Sequence, residues 1–403
     1  MVNRRLQRVA LILLLLASAA VWIARPYVDA AAFIVRAANL TDGVPGRIAA
    51  ARAHVATRQE LPPIATRHGA VPARIYRAAE ATRTVLLVPG VHMDGIDETR
   101  LVGMAEDFAA TGYAVVTVAP PDLRQFRITP ANTDVIEDAA MWIARQPALA
   151  PDGKVGMVGI SFSGGLSVVA AGRPALRDHV AFVMSFGGHG DLARVMRYLC
   201  SGGTPDPPAA TAMGNAVTGA ATLVMRPPHD YGVTVVLLSF ADRVVPADQV
   251  GSLRTGIGIF LRASSLTLVD MTQAEAEFAH ARTYAAGLPE PSRTLMTHVN
   301  DRAVDKLGPL LLPVVEGLGT SAEVRAMSAE SVPPPRAPVF LLHGSEDSVI
   351  PPVETLFLAA HLRGQVLVRA LLTGLITHAE VDRSASASDV WELTRFWREL
   401  MRY

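Results

Sequence analysis

The chain has 403 residues, of which half are apolar and 18% are charged, so it can bury a sizeable core and is not intrinsically disordered. Lys plus Arg and Asp plus Glu each number 37. The zero formal net charge argues against a nucleic-acid-binding protein, which would carry a basic patch. The single cysteine, Cys200, excludes an intramolecular disulfide and a cysteine-rich metal site.

An uncharged apolar run over residues 9–24 follows a basic start that contains Arg4, Arg5 and Arg8. A spanning helix uses about 20 apolar residues. A secretory signal peptide has a similar basic start and apolar middle. Because the run continues past the small residues 17–19, the pattern favours an uncleaved membrane anchor over residues 1–26. Either alternative predicts that the rest of the chain lies on the non-cytoplasmic side of the membrane. If the segment is cleaved, the protein would be secreted.

Residues 27–65 read as a helical linker. From about residue 66, short apolar runs alternate with helical segments, and buried strands are predicted at 83–90, 113–121, 154–160 and 179–188. Strands separated by helices of 10 to 15 residues form right-handed crossovers in a mostly parallel sheet. We therefore expect an α/β fold with a doubly wound sheet, whose first part covers residues 66–190.

The alternation stops over residues 191–335, which read mainly as helices and end in the proline-rich stretch SVPPPRAP. It returns with a strand at 338–344, a helix, a further strand and a last helix. The sequence thus predicts a helical insertion over 191–335 and the second part of the α/β core over 336–403.

The stretch GISFSGG, residues 159–165, directly follows the strand predicted at 154–160. Ser161 would lie at a sharp strand-to-helix turn, where small neighbours let the two elements pack closely. The helix N-terminus beside it favours negative charge developing on a bound acyl oxygen. A glycine-serine turn without chemistry is the alternative interpretation of this stretch taken alone.

Gly159-Ile160-Ser161-Phe162-Ser163 resembles the G-x-S-x-G nucleophile elbow of the α/β-hydrolase family, with serine in the last position. The resemblance covers roughly residues 66–190 and 336–400, and the insertion corresponds to a helical cap over the active site. It implies that Ser161 is the nucleophile. Ser163 is the alternative, which we disfavour because the strand would end two residues too early.

The family's chain order of serine, acid and histidine implies Asp347, in LLHGSEDSVIPP, and His378, in LLTGLITHAE. Both follow predicted strands of the second core part. The implied roles are general base and then acid for His378, and orientation of its imidazole for Asp347. Asp242, in FADRVVP, is the competing acid, disfavoured because its flanks read as helical.

The resemblance also implies an oxyanion hole formed by the backbone N–H groups of Phe162 and Val91, the latter in the loop after the early strand. His92 in that loop is a possible substrate contact or a structural histidine. We expect no metal, because His92 and Asp94 lack a third ligand nearby.

The implied activity is hydrolysis of a carboxylic ester, or of a thioester or amide, of an apolar, lipid-like small molecule. It would proceed through an acyl-serine without a cofactor. An acyltransferase with the same triad and a non-catalytic binding protein on the same fold remain alternatives.

Overall fold

The computed structural model describes residues 4–267, 269–376 and 386–403. A sheet lies at its centre, and its strands are β1 (Ala56–Thr66), β2 (Gly69–Ala78), β3 (Thr84–Val88), β4 (Ala114–Val118), β5 (Val155–Ile160), β6 (Val180–Phe186), β7 (Val217–Thr218), β8 (Val339–Gly344) and β9 (Val368–Thr373). Their order across the sheet is β1-β2-β4-β3-β5-β6-β8-β9-β7. Strand β2 pairs antiparallel with β1 and β4, and all other pairs are parallel.

The described helices surround this sheet and fill the insertion. They are α1 (Arg4–Ala37), α2 (Gly43–Ala51), α3 (Thr99–Ala109), α4 (Pro121–Arg124), α5 (Pro130–Ala144), α6 (Phe162–Gly172), α7 (Leu192–Ser201), α8 (Ala210–Met213), α9 (Asp230–Ser239), α10 (Ala241–Val244), α11 (Val250–Leu266), α12 (Met271–Ala286), α13 (Ser292–Asn300), α14 (Val304–Leu318), α15 (Ala322–Ala326), α16 (Val353–Leu362) and α17 (Ala387–Leu400).

The central strands β3 and β4 are buried along their whole length. This burial follows from helices on both faces of the sheet. Helices α1, α3 and α17 pack on one face around Phe33, Phe108 and Trp397. Helices α5 and α6 pack on the other face, with Ile136 and Leu166 in the core. The predicted fold class, a mostly parallel α/β sheet with flanking helices, is confirmed.

The expectation of helix over all of residues 27–65 is wrong at its C-terminal end, where the chain forms strand β1. This strand lies at the sheet edge and most of its side chains are exposed. Pro62 and Pro63 fall where the register with β2 shifts, as proline requires of an edge strand. Because neither face of β1 is well buried, its sequence lacks the apolar alternation that identifies a strand.

Helix α1 is continuous across residue 26, where the sequence suggested the end of an anchor. Residues 12–15 and 21–23 are exposed apolar side chains, whereas Phe33 is buried. The Phe33 ring centroid lies 4.5 Å from that of Trp397 and 5.1 Å from that of Phe108. Among the described helices, α1 alone is long and apolar enough to cross a membrane, by length and composition. Its C-terminal end belongs to the α/β core.

The insertion is attached to the core at more places than its two chain connections. Strand β7 pairs with β9 and so extends the central sheet, which a purely helical insertion did not predict. Arg194, near the start of the insertion, donates to the carboxylate of Glu354 of α16 at 2.5 Å. It also donates to the carboxylate of Glu330, near the end of the insertion, at 2.6 Å. The fully buried Glu354 carboxylate also accepts from the backbone N–H groups of Gly190 and Asp191.

Candidate active site

Ser161 lies at a sharp turn between the end of β5 and the start of α6. Its backbone has φ 57° and ψ −132°, a conformation that non-glycine residues adopt at a cost of about 1–3 kcal/mol. The backbone N–H of Ser161 donates to the carbonyl oxygen of Phe186 at 2.7 Å, which holds the strained residue against the end of β6. This geometry presents the side chain at the carboxyl edge of the sheet.

Close packing around the turn explains its small residues. A Cβ at Gly159 would collide with the carbonyl oxygen of Ser163. A Cβ at Gly165 would lie 2.5 Å from the ring of His189, which is fully buried behind α6. Only glycine at these positions lets β5, α6 and the chain after β6 approach each other.

Ser163, the alternative nucleophile, points into the protein. It is fully buried, and its hydroxyl donates to the carbonyl oxygen of Pro89. The carbonyl oxygen of Ile160 is a second acceptor, 3.0 Å from the Ser163 Oγ. Its backbone is part of helix α6, whereas Ser161 has the positive φ of an elbow. The hydroxyl of Ser163 therefore connects α6 to the loop that follows β3.

The loop after β3 lies directly beside Ser161. A Cβ at Gly90 would be 3.3 Å from the Ser161 Cβ, and Val91 follows. The N–H of Phe162 is in the first turn of α6, where no intrahelical acceptor exists. The carbonyl of Val91 accepts from the Tyr231 hydroxyl at 2.9 Å, a contact from insertion helix α9 that the sequence did not indicate.

Asp347 follows β8 in the loop before α16 and is 5% exposed. Its Oδ1 accepts from the backbone N–H groups of Val349 and Ile350 at 2.8 and 3.1 Å. Gly187 directly follows β6, and a Cβ added to it would lie 3.5 Å from Asp347 Oδ2. Ser161 and Asp347 thus both lie near the carboxyl end of β6.

His378, the predicted base, lies outside the described residues. The nearest described residue before it is Ile376, whose carbonyl oxygen would lie 2.4 Å from a Cβ on Gly344, so that only glycine fits at position 344. The chain therefore passes the end of β8 two residues before His378.

The competing acid and the other histidines have different surroundings. Asp242 is half exposed on α10 and pairs with Arg254 at 3.1 Å, within the insertion. His343 is buried, with its ring nitrogens 2.8 Å from Thr355 Oγ1 and 2.9 Å from the Ile350 carbonyl oxygen, so it is a structural histidine.

His92 lies in the loop after β3 and is largely buried. Its Nδ1 accepts from the Asp94 N–H at 3.3 Å, and burial lowers the pKa of its imidazole below the ordinary value. A neutral ring with a proton on Nε2 follows, so this nitrogen can donate a hydrogen bond. No group of three His, Cys, Asp or Glu side chains suited to a metal ion occurs within the described ranges.

A cavity of about 680 Å³ opens between the insertion and the loops after β3 and β4. Its wall includes Met93, two residues beyond Val91, and Phe126. Phe126 has φ 57°, and its ring meets that of Tyr231 edge to face at 6.4 Å. The sequence did not predict this cavity, because its walls come from segments that only the folded insertion brings together.

The sequence model of the family described as X-Pro dipeptidyl-peptidase (S15 family) matches residues 56–239, somewhat less than half of the chain. This range holds strands β1 to β6 and the turn at Ser161. The fold is that of the α/β-hydrolases. The resemblance inferred from the elbow sequence is thereby confirmed, and the family match supports a hydrolase.

Solved structures similar to this α/β-hydrolase share little sequence with it. A hyperthermophilic esterase from the archaeon Pyrobaculum calidifontis is 15% identical, with 94% of this chain and 93% of that chain covered and a TM-score of 0.40. A dienelactone hydrolase from Anabaena variabilis is 14% identical, with 87% and 99% covered and a TM-score of 0.41. An acylaminoacyl peptidase from Pyrococcus horikoshii is 12% identical, with 89% and 42% covered and a TM-score of 0.41. No curated protein matches the sequence.

Proposed function

We propose that this α/β-hydrolase cleaves a carboxylic ester of an apolar acyl group through an acyl-serine intermediate. Ser161 is the nucleophile, His378 the base and Asp347 the group that orients the imidazole. The observation that carries the proposal is the backbone of Ser161, whose positive φ between β5 and α6 has a conformational cost that packing alone does not require.

In the proposed reaction, Ser161 Oγ attacks the ester carbonyl carbon and its proton passes to His378. The negative oxygen of the tetrahedral intermediate accepts from the N–H groups of Phe162 and Val91. The C–O bond then breaks, and the alcohol leaves with the proton from His378. Water, deprotonated by His378, attacks the acyl-serine, and the acid departs as Ser161 regains its proton.

Peptide hydrolysis is the second candidate, because the matching family is described as dipeptidyl-peptidases. An amide requires the same residues, with the amine nitrogen taking the proton from His378. An ester and an amide that share one acyl group distinguish the two activities. Adding an alcohol and analysing the products distinguishes hydrolysis from acyl transfer.

We also propose that the exposed part of α1 anchors the protein in a membrane, with the catalytic domain on the non-cytoplasmic side. The arginines before residue 9 support this orientation. Mass spectrometry of the N-terminus of the protein from a membrane fraction tests whether the segment is retained.

The catalytic proposal is tested by labelling the full chain in detergent with a fluorophosphonate and mapping the modified residue by mass spectrometry. We expect label on Ser161 and none on the Ser161→Ala variant, with His378→Ala labelled far more slowly. Ser167→Ala, on the same helix, is the matched control and should label normally. Label on Ser163, or label on Ser161 at full rate in His378→Ala, would overturn the assignment.

A further inference from the structure

We propose that the cavity between the insertion and the core holds an anionic group of the substrate, so that the enzyme prefers acyl esters that end in a carboxylate or a phosphonate. This inference rests on the proposed function and specifies its substrate class. Four arginines line the cavity, two from each side.

The position of the cavity suits a substrate group that extends away from the ester. Met93 lines it, and the same loop carries Gly90 beside Ser161 and Val91 at the proposed oxyanion hole. Tyr231 contacts both the Val91 carbonyl and the ring of Phe126, which forms part of the cavity wall. In the proposal, an acyl chain attached at Ser161 extends past this loop into the cavity.

The insertion provides one positively charged wall. Arg254 and Arg262 are eight residues apart on α11, so they lie on one face of the helix. Gly258 stands between them, and a Cβ there would meet nothing within 4 Å. Glycine at this position adds no side chain to the cavity wall that carries Arg254 and Arg262.

The core provides the opposite wall with Arg124 and Arg127, at and after the end of α4. Arg124 donates its Nε–H to the Met93 carbonyl at 3.0 Å and has no carboxylate partner within the described ranges. A guanidinium has five N–H donors, so most of those on Arg124 remain for a ligand.

Three carboxylates offset part of this charge. Glu277 lines the cavity 3.5 Å from Arg262, Asp122 lies 3.6 Å from Arg127, and Asp242 lies 3.1 Å from Arg254. Four arginines against three carboxylates leave a positive excess. Such a cavity attracts an anion and repels the free ammonium group of a peptide.

The test compares three 4-nitrophenyl esters with one leaving group: glutarate, valerate and 4-phosphonobutanoate. Glutarate and valerate differ only in a terminal carboxylate or methyl group. We expect kcat/KM for the two anionic esters to exceed that for valerate by about tenfold at low salt, and less at 0.5 M NaCl because of screening. Arg124→Gln combined with Arg262→Gln should remove most of the preference, whereas Arg282→Gln, outside the cavity on α12, should retain it.

Binding of free glutarate to the Ser161→Ala variant, measured by calorimetry, separates the two proposals. Glutarate binding that the two arginine substitutions weaken about tenfold supports the cavity assignment. If such binding is found but no ester is hydrolysed, the proposed function is overturned and the cavity assignment stands. Ester hydrolysis with equal kcat/KM for glutarate and valerate, and no glutarate binding, would overturn the cavity assignment alone. A preference over valerate for only one of the two anionic esters also supports the cavity assignment and identifies which anion the cavity accepts.

Discussion

The hydroxyl of Ser163 donates a hydrogen bond to the carbonyl oxygen of Pro89, and this contact joins the first turn of α6 to the loop that follows β3. Of the two proposed oxyanion donors, Phe162 directly precedes Ser163 and Val91 lies two residues after Pro89. The contact therefore sets the position of one donor relative to the other.

Substitution of Ser163 by Ala should lower kcat by about tenfold, because the Val91 N–H loses its fixed position. Complete removal of one oxyanion-hole donor can lower kcat by more than about tenfold. Fluorophosphonate labelling of Ser161 should persist at a reduced rate. Ser167→Ala is the matched control, since Ser167 is also buried on α6 and its Oγ has no partner in the part of the chain that the structure describes. A normal kcat for Ser163→Ala would show that the loop does not depend on this bond.

Tyr231→Phe removes the hydrogen bond to the Val91 carbonyl and leaves the ring packed against Phe126. A single neutral hydrogen bond contributes about 1 kcal/mol, so we expect kcat/KM to fall about threefold to tenfold with little loss of thermal stability. Tyr284→Phe, elsewhere in the insertion, serves as the control. Equal kcat/KM values for the two variants would exclude a role of Tyr231 in positioning the loop.

Replacing Ser161 or His378 by Ala should each lower kcat by several powers of ten, up to about 10⁶. The double variant should lose little more than either single variant, because a nucleophile and its base act as a unit. Single-turnover kinetics on an activated ester provide the measurement. Multiplicative losses would mean that the two residues act independently.

The buried His189 should make the stability of the protein depend on pH. Burial lowers the pKa of its imidazole to about 4, and the nearby Asp191 and Arg194 act in opposite directions. Between pH 6.5 and 4 the unfolded chain binds a proton that the folded protein does not, so stability falls as the pH falls. From pH 7 to pH 5 this group alone should remove about 2 kcal/mol.

Urea unfolding of wild type and His189→Gln at both pH values measures this term. The glutamine amide can keep the hydrogen bond to the Met327 carbonyl but does not titrate in this range. The variant should therefore lose about 2 kcal/mol less than wild type between pH 7 and pH 5. His54→Gln, at an exposed position, should behave like wild type.

Phe33→Ala should destabilise the catalytic domain by about 3–5 kcal/mol, because this ring of α1 is buried against Phe108 and Trp397. Val21→Ala, on the same helix at a side chain that is 71% exposed, should change the stability of the domain little. Thermal unfolding in detergent compares the two. Similar melting temperatures would show that α1 contributes nothing to the core.

The sequence was sufficient to predict the central strands of the sheet, because strands buried on both faces read as uninterrupted apolar runs. It was insufficient for β1, whose exposed edge position removes that pattern. Gly159, Ser161 and Ser163 identified the turn at the site because its close packing permits few residue types. Tyr231 and the four arginines of the cavity were not predicted, since their proximity to the loop after β3 depends on how the insertion folds over the core. The roles of Asp347 and His378 stay predictions.

The attachments of the insertion restrict how substrate enters and product leaves. Arg194 joins both ends of the insertion to Glu354, and β7 adds a further attachment at the sheet edge. Movement of the segment as a single rigid flap about one hinge would have to break these attachments. We expect access to come from smaller displacements of helices between these attachments, such as α9 and α11. Turnover in such an enzyme would depend on how readily a few packed helices slide past one another, and substitutions that stiffen their contacts would slow product release without altering the bond-breaking step.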